Sequence, residues 1–141
     1  RSSDLINLII NSVITVEEIE KALRKLKNGK SSGIDGILNE FLKCTSPKLI
    51  PLWLKLFNVV LQEGKIPRDW LIGNILPIYK KTGDPTDANN YRGITLLSCL
   101  GKLFTSILSN RHTMFSDAVD LILKNQAGFS KNIPLLTIFL L

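Results

Sequence analysis

The stretch from Pro47 to Gln62 carries apolar residues in two adjoining helical rows. Leu49, Leu52, Trp53, Leu56 and Val60 form one, and Ile50, Leu54, Phe57 and Leu61 form the other. Lys48, Lys55 and Gln62 leave only a narrow polar strip between them. A helix this apolar has to be covered on most sides, so it is expected at the centre of the core, with the rest of the chain around it. Pro47 suits the first turn, where no N–H donor is needed, and Gly64 suits the stop. The chain has 141 residues, the size of one domain. A domain of this length buries about 68% of the surface its unfolded chain exposes.

Shorter elements flank that helix. Thr15 and Glu18 have the S/T-x-x-E spacing of a capping box, and Ile19, Ala22, Leu23 and Leu26 follow at helical spacing, predicting a helix over Thr15–Gly29. Ser31–Ile37 reads as a turn-rich loop, in which Gly33 and Gly36 allow positive φ and Asp35 can bond nearby backbone N–H groups. A short separate helix is expected from Leu38 to about Cys44. Trp70–Lys80 reads as extended, and Pro77, which cannot donate to a ladder, puts it at an edge. The polar loop Lys81–Asn90 leads to a second strand over Tyr91–Leu97, so the two strands can pair as a hairpin. Ser98 can cap a helix carrying Leu100, Leu103, Phe104, Ile107 and Leu108 on one face. A further short helix, about Met114–Lys124, and a turn at Gln126–Phe129 complete the reading. The expected fold is α+β, mostly helical, with one β-hairpin.

Composition narrows the chemistry. The net charge of +6 and pI of about 9.5 permit contact with nucleic acid or phosphates without requiring it. Cys44, Cys99 and His112 have no zinc-site spacing, and two lone thiols suit a reducing compartment. The sequence has no P-loop, no G-x-G-x-x-G and no support for a nucleophilic triad. Asp117 and Asp120 stand at helical spacing, as a metal-holding pair would and as a solvated helix face would. Leu5–Ile10 is too short for a signal peptide, and Ile133–Leu141 is about half a membrane span. The chain opens on Arg1 and its one methionine is Met114, so it is expected to be part of something longer. If the strands pair, Lys80, Lys81 and Arg92 come together beside the loop. Converging Arg and Lys suit phosphate oxygens, and a solvated basic hairpin is the plainer reading.

Four blocks carry a resemblance. Asn90–Arg111, NYRGITLLSCLGKLFTSILSNR, resembles the second motif of reverse transcriptases from non-LTR (LINE-like) retrotransposons. Ile66–Lys81, IPRDWLIGNILPIYKK, is similar to the motif before it; Lys30–Lys43, KSSGIDGILNEFLK, to the early glycine–aspartate–glycine block; and QAGF to the start of the next motif. They occur in the family's order over roughly residues 15–130.

The resemblance implies the fingers portion of a right-hand polymerase, with residues 1–14 as a flank, 15–132 as the fingers-like region and 133–141 as an apolar tail. It gives Arg92 the triphosphate of the incoming nucleotide, assisted by Lys80 or Lys81. It associates Gly33, Asp35 and Gly36, and Gln126, Gly128 and Phe129, with template holding and the nucleotide pocket; structural turns are the other reading of both groups. Lys102 and Arg111 could touch nucleic-acid backbone, but are expected as exposed helix charges, and Trp53 and Trp70 as core. By family the substrate is a dNTP, the cofactor magnesium, and the partners an RNA template and a DNA primer, in the nucleus or cytoplasm, with no membrane. The magnesium carboxylates of the palm belong to motifs after the point where this chain stops, and the resemblance implies a palm and an endonuclease domain as other parts of the parent protein. No adjacent Asp–Asp pair occurs here. The chain departs from the pattern at Gly93, where proline is common, at His112, where leucine is usual, and after Phe129, where Ser130, Lys131, Asn132 and IPLLTIFLL replace an arginine-containing stretch. A polymerase fragment, a stand-alone nucleic-acid-binding module and a retrotransposon remnant all remain open on the sequence.

Overall fold

The structure, a computed structural model, describes residues 2–127. Five helices and one hairpin run in the order α1 (Ser2–Ile10), α2 (Val16–Lys25), α3 (Asn39–Glu63), α4 (Arg68–Leu71), β1 (Asn74–Tyr79), β2 (Tyr91–Leu96) and α5 (Cys99–Ala127). The mostly helical α+β reading with a single hairpin holds for these residues.

The capping box starts α2 as expected. The Thr15 hydroxyl accepts the Glu18 N–H, and the Glu18 carboxylate accepts the Thr15 N–H at 2.9 Å. The helix ends earlier than predicted, at Lys25, because Leu26 is already extended; Gly29, at φ +69, turns the loop beyond it. Ile19, Ala22 and Leu23 bury the inner face of α2.

The predicted break before Pro47 is absent, and α3 runs unbroken through Pro47 and Pro51. Pro47 cannot donate to the Lys43 carbonyl one turn back. The Ser46 hydroxyl donates to that carbonyl instead, at 3.0 Å, which removes one reason for the helix to stop. α3 buries Ile50, Trp53, Phe57 and Val60, a face drawn from both predicted rows, while Leu52 stays 61% exposed. The expected break near residue 112 is also absent, and α5 is one helix of 29 residues. Leu103, Phe104 and Ile107 of α5 meet α3 in the core.

Trp70 does not begin a strand, as the sequence suggested, but belongs to the one-turn helix α4. Its ring lies 5.9 Å from Phe57 and 5.4 Å from Phe104, centroid to centroid, and Phe57 and Phe104 are 5.4 Å apart. Such a triangle rewards burying the indole more than extending the backbone. Gly101 gives it room, since a Cβ there would stand 3.0 Å from the indole. α1, which the sequence reading did not identify as a helix, packs on α5.

Candidate functional site

The hairpin stands away from the helices. β1 and β2 are antiparallel, with Leu76 opposite Ile94, Pro77 opposite Gly93, Ile78 opposite Arg92 and Tyr79 opposite Tyr91. All but the residues at one end of each strand, or at both, are exposed, and no helix covers either face broadly. The Lys80 N–H donates to the Asn90 carbonyl at 2.8 Å, so 80 and 90 form a hydrogen-bonded pair. Alternation then makes 78/92 and 76/94 bonded pairs and 77/93 a non-bonded one. The missing donor of Pro77 therefore falls on the outer edge, where it costs the ladder nothing, in keeping with the expected edge position.

The same alternation puts Arg92 and Lys80 on one face, diagonal neighbours across the pair. Both are exposed. The Lys80 ammonium donates to the Asn89 carbonyl at 2.9 Å, while no carboxylate among the described residues pairs with Arg92 or Lys81. Lys81 is not on that face, since alternation sets neighbours on opposite sides, and at φ +60 it turns the chain into the loop. On the opposite face Tyr79 and Tyr91 stack at 5.4 Å and hold the loop, their hydroxyls donating to the carbonyls of Gly83 and Pro85. Asp84 accepts the Thr86 N–H and hydroxyl, bonds that hold its carboxyl below the usual range. The loop is thus a self-braced turn that leaves one side to the cations.

Gly33, Asp35 and Gly36 form a second group, at the hairpin's root. Asp35 accepts the Ile37 N–H at 3.1 Å with one oxygen, as expected for the turn, and Gly36 has φ +69. The other Asp35 oxygen accepts the Ser98 hydroxyl at 2.6 Å, across 63 residues of sequence. Ser98 also caps α5, accepting the Gly101 N–H at 3.2 Å. Gly33 is buried against this junction, where a Cβ would stand 2.5 Å from the Ser98 nitrogen. Sequence reading found the cap and missed the link, for which no local pattern exists. Arg92 lies six residues from Ser98, at most about 20 Å of extended chain away.

Other assignments sort plainly. Gln126 lies in the last turn of α5 rather than in a turn motif, and Gly128 and Phe129 lie outside the described residues, as does the tail 133–141. Lys102 is exposed, as expected. Arg111 is not exposed as expected, but 6% accessible. Its Nε and Nη2 fork onto Glu18 at 2.6 and 2.8 Å, and its Nη atoms reach the carbonyls of Ile10, Ser12 and Val13. Trp53 is core and Trp70 half-buried. Among the described residues no three His, Cys, Asp or Glu side chains stand together to hold a metal; Asp117 and Asp120 are exposed on α5. No helix among the described residues is long and apolar enough to cross a membrane.

No protein-family model matches the chain. Its similarity to individual proteins is extensive. It is 32% identical over 118 residues to the RNA-directed DNA polymerase from mobile element jockey of Drosophila melanogaster, a match covering 84% of this chain. It is 33% identical over 116 residues, 82% of this chain, to the probable RNA-directed DNA polymerase from transposon BS of the same species. The chain is a relative of the non-LTR retrotransposon reverse transcriptases. A third such reverse transcriptase, the probable RNA-directed DNA polymerase from transposon X-element of Drosophila melanogaster, is 27% identical over 79% of this chain. Each match takes in only 12–13% of the reverse transcriptase compared, so the chain corresponds to a small part of those proteins.

Proposed function

We propose that this chain is the fingers part of a retrotransposon reverse transcriptase and that its hairpin grips the triphosphate of an incoming nucleotide. One observation carries the reading: in a chain related to RNA-directed DNA polymerases, Arg92 stands exposed on a hairpin face beside Lys80, without a carboxylate partner among the described residues. Arg92 supplies a planar fork for two phosphate oxygens. Lys80 is tethered to the Asn89 carbonyl and adds a fixed positive charge at the same place. Lys81, one step into the loop, adds a second, more mobile one. Fixed cations near oxygens that gain charge in the transition state lower the barrier to nucleotidyl transfer. The loop of Gly33, Asp35 and Gly36, and the segment of Gln126, Gly128 and Phe129, shape the template side of the pocket. RNA template and DNA primer are the partners.

Magnesium and its carboxylates belong, on this reading, to a palm supplied by a longer parent, and this chain contributes binding and orientation only. The test is direct. Titration of the chain with a dNTP, or with tripolyphosphate, should give binding that weakens with salt. Arg92→Ala should lower the affinity about tenfold to a hundredfold, the worth of charge-assisted hydrogen bonds. Equal affinity in the variant overturns the assignment. Primer extension by the chain alone, with magnesium and dNTPs, should stay at background; clear extension would refute the division of labour between grip and catalysis.

A further inference from the structure

The hairpin is joined to the helical body at its root and almost nowhere else. Neither β-strand packs broadly on a helix, and both faces are open. Its orientation must therefore be set where the chain enters at residue 73 and leaves at residues 97–98. The root is tight: a Cβ at Gly73 would stand 2.4 Å from the Thr95 methyl group and 3.2 Å from the Leu97 side chain.

On the exit side sits Ser98, 1% exposed. Its hydroxyl accepts the Gly101 N–H, which fixes it to the first turn of α5, and donates to Asp35. The loop carrying Asp35 is held in turn from three sides. Gly33 lies flush on the Leu97–Ser98 backbone, the Cys99 thiol points at the Ser31 carbonyl at 3.9 Å, and the Gly36 N–H bonds to the Gly33 carbonyl at 3.2 Å. A buried hydroxyl that directs its one proton to one carboxylate is held in one orientation, and here it ties the exit of the hairpin to the Asp35 loop.

We propose that Asp35 is a positioning residue: through the Ser98 hydroxyl it fixes the angle at which the hairpin leaves the body, and so where Arg92 stands. Asp35 then shapes the nucleotide site from its root without touching the ligand. The lever is long, and a small rotation at Ser98 sweeps the tip through several ångströms. The bearing on nucleotide binding rests on the function proposed above; the mechanical link does not.

The experiment separates the two. Spin labels on the native exposed Cys44 of α3 and on Ala88→Cys at the hairpin tip report the distance from body to tip. Cys99, buried and with its thiol pushed up by that burial, is left unlabelled. Asp35→Ala and Ser98→Ala should each at least double the width of the distance distribution while leaving helix content unchanged. The double variant should be no broader than the broader single one, since both break one link. Tripolyphosphate affinity should fall in the same three variants and show the same failure to add. A distribution that stays narrow in both single variants, or effects that add, overturns the proposal. Should Ser98→Ala fail to fold through loss of its cap, Asp35→Ala, in a half-exposed loop, decides alone. If the unsubstituted chain binds no tripolyphosphate but the widths behave as stated, the grip is refuted and the link stands.

Discussion

Replacing Arg111 with alanine is expected to lower the unfolding free energy by about 2–3 kcal/mol, below the full cost of breaking a buried ion pair because the Glu18 side chain left behind is 30% exposed. All five guanidinium N–H groups are used. Two go to the Glu18 carboxylate and three to the carbonyls of Ile10, Ser12 and Val13, which end α1 and lead into α2. Removing the side chain leaves these part-buried acceptors short of their donors and loosens α1, α2 and α5 together. Arg111→Lys should rescue little, since an ammonium cannot span a carboxylate and three carbonyls in one plane. Urea unfolding followed by circular dichroism measures the loss; less than about 1 kcal/mol would mean the network is incidental.

The same network predicts an acid dependence. Burial pushes the Glu18 carboxyl up, but hydrogen bonds from Arg111 and the Thr15 N–H, with the charge of Arg111, outweigh it and hold the group below its ordinary 4.5. A carboxyl depressed in the folded state contributes stability that is present above 4.5 and lost as pH falls through the folded value. Arg111→Ala should therefore flatten the acid limb of the stability curve as well as lower it.

Gly33→Ala is the second large effect. An added Cβ would stand 2.5 Å from the Ser98 nitrogen and 2.7 Å from the Leu97 carbonyl carbon, and backbone cannot step aside as a side-chain end can. Either the loop lifts or the start of α5 shifts, at about 1–3 kcal/mol by analogy with overpacked cores. Gly36→Ala is the control. A Cβ at Gly36 meets nothing within 4 Å, and its cost is only that of a left-handed backbone at φ +69, about 1–2 kcal/mol. The two should differ in kind: Gly33→Ala should free the hairpin root, read as faster amide exchange at residues 97–101, and Gly36→Ala should not. Equal exchange in both would remove Gly33 from the junction.

What the sequence made legible was local. The capping box at Thr15 and Glu18, the cap at Ser98, the loop at 31–37 and the strand pair around a polar turn all rest on contacts a few residues long or on alternation along one strand. The joins were not legible. A proline in a helical pattern argues for a break, and nothing local says that Ser46 takes over the carbonyl that Pro47 abandons. Arg111 has the pattern of a solvated helix charge because its acceptors lie 93–101 residues away. Trp70 was assigned to a strand by its neighbours and is held in a helix by Phe57 and Phe104. For the candidate site, pattern placed Lys80, Lys81 and Arg92 beside one loop, while the face each takes depends on a register and on a positive φ at Lys81 that no lysine advertises. The link from Asp35 to Ser98 is a tertiary fact, invisible to motif and period alike.

The placement of Pro77 has one more consequence, for how copies of this protein meet at high concentration. A bare β-edge invites another chain to pair with it, and a proline with its nitrogen facing outward is a gatekeeper against that. β1 has such a proline at its middle; β2 has none, and alternation points the N–H groups of Gly93 and Thr95 outward, while that of Tyr91 is taken by the Ala88 carbonyl. The hairpin is therefore sticky on one side only. β2 is thus the less guarded edge, and it is the strand that carries Arg92, whose charge repels the same strand of another copy.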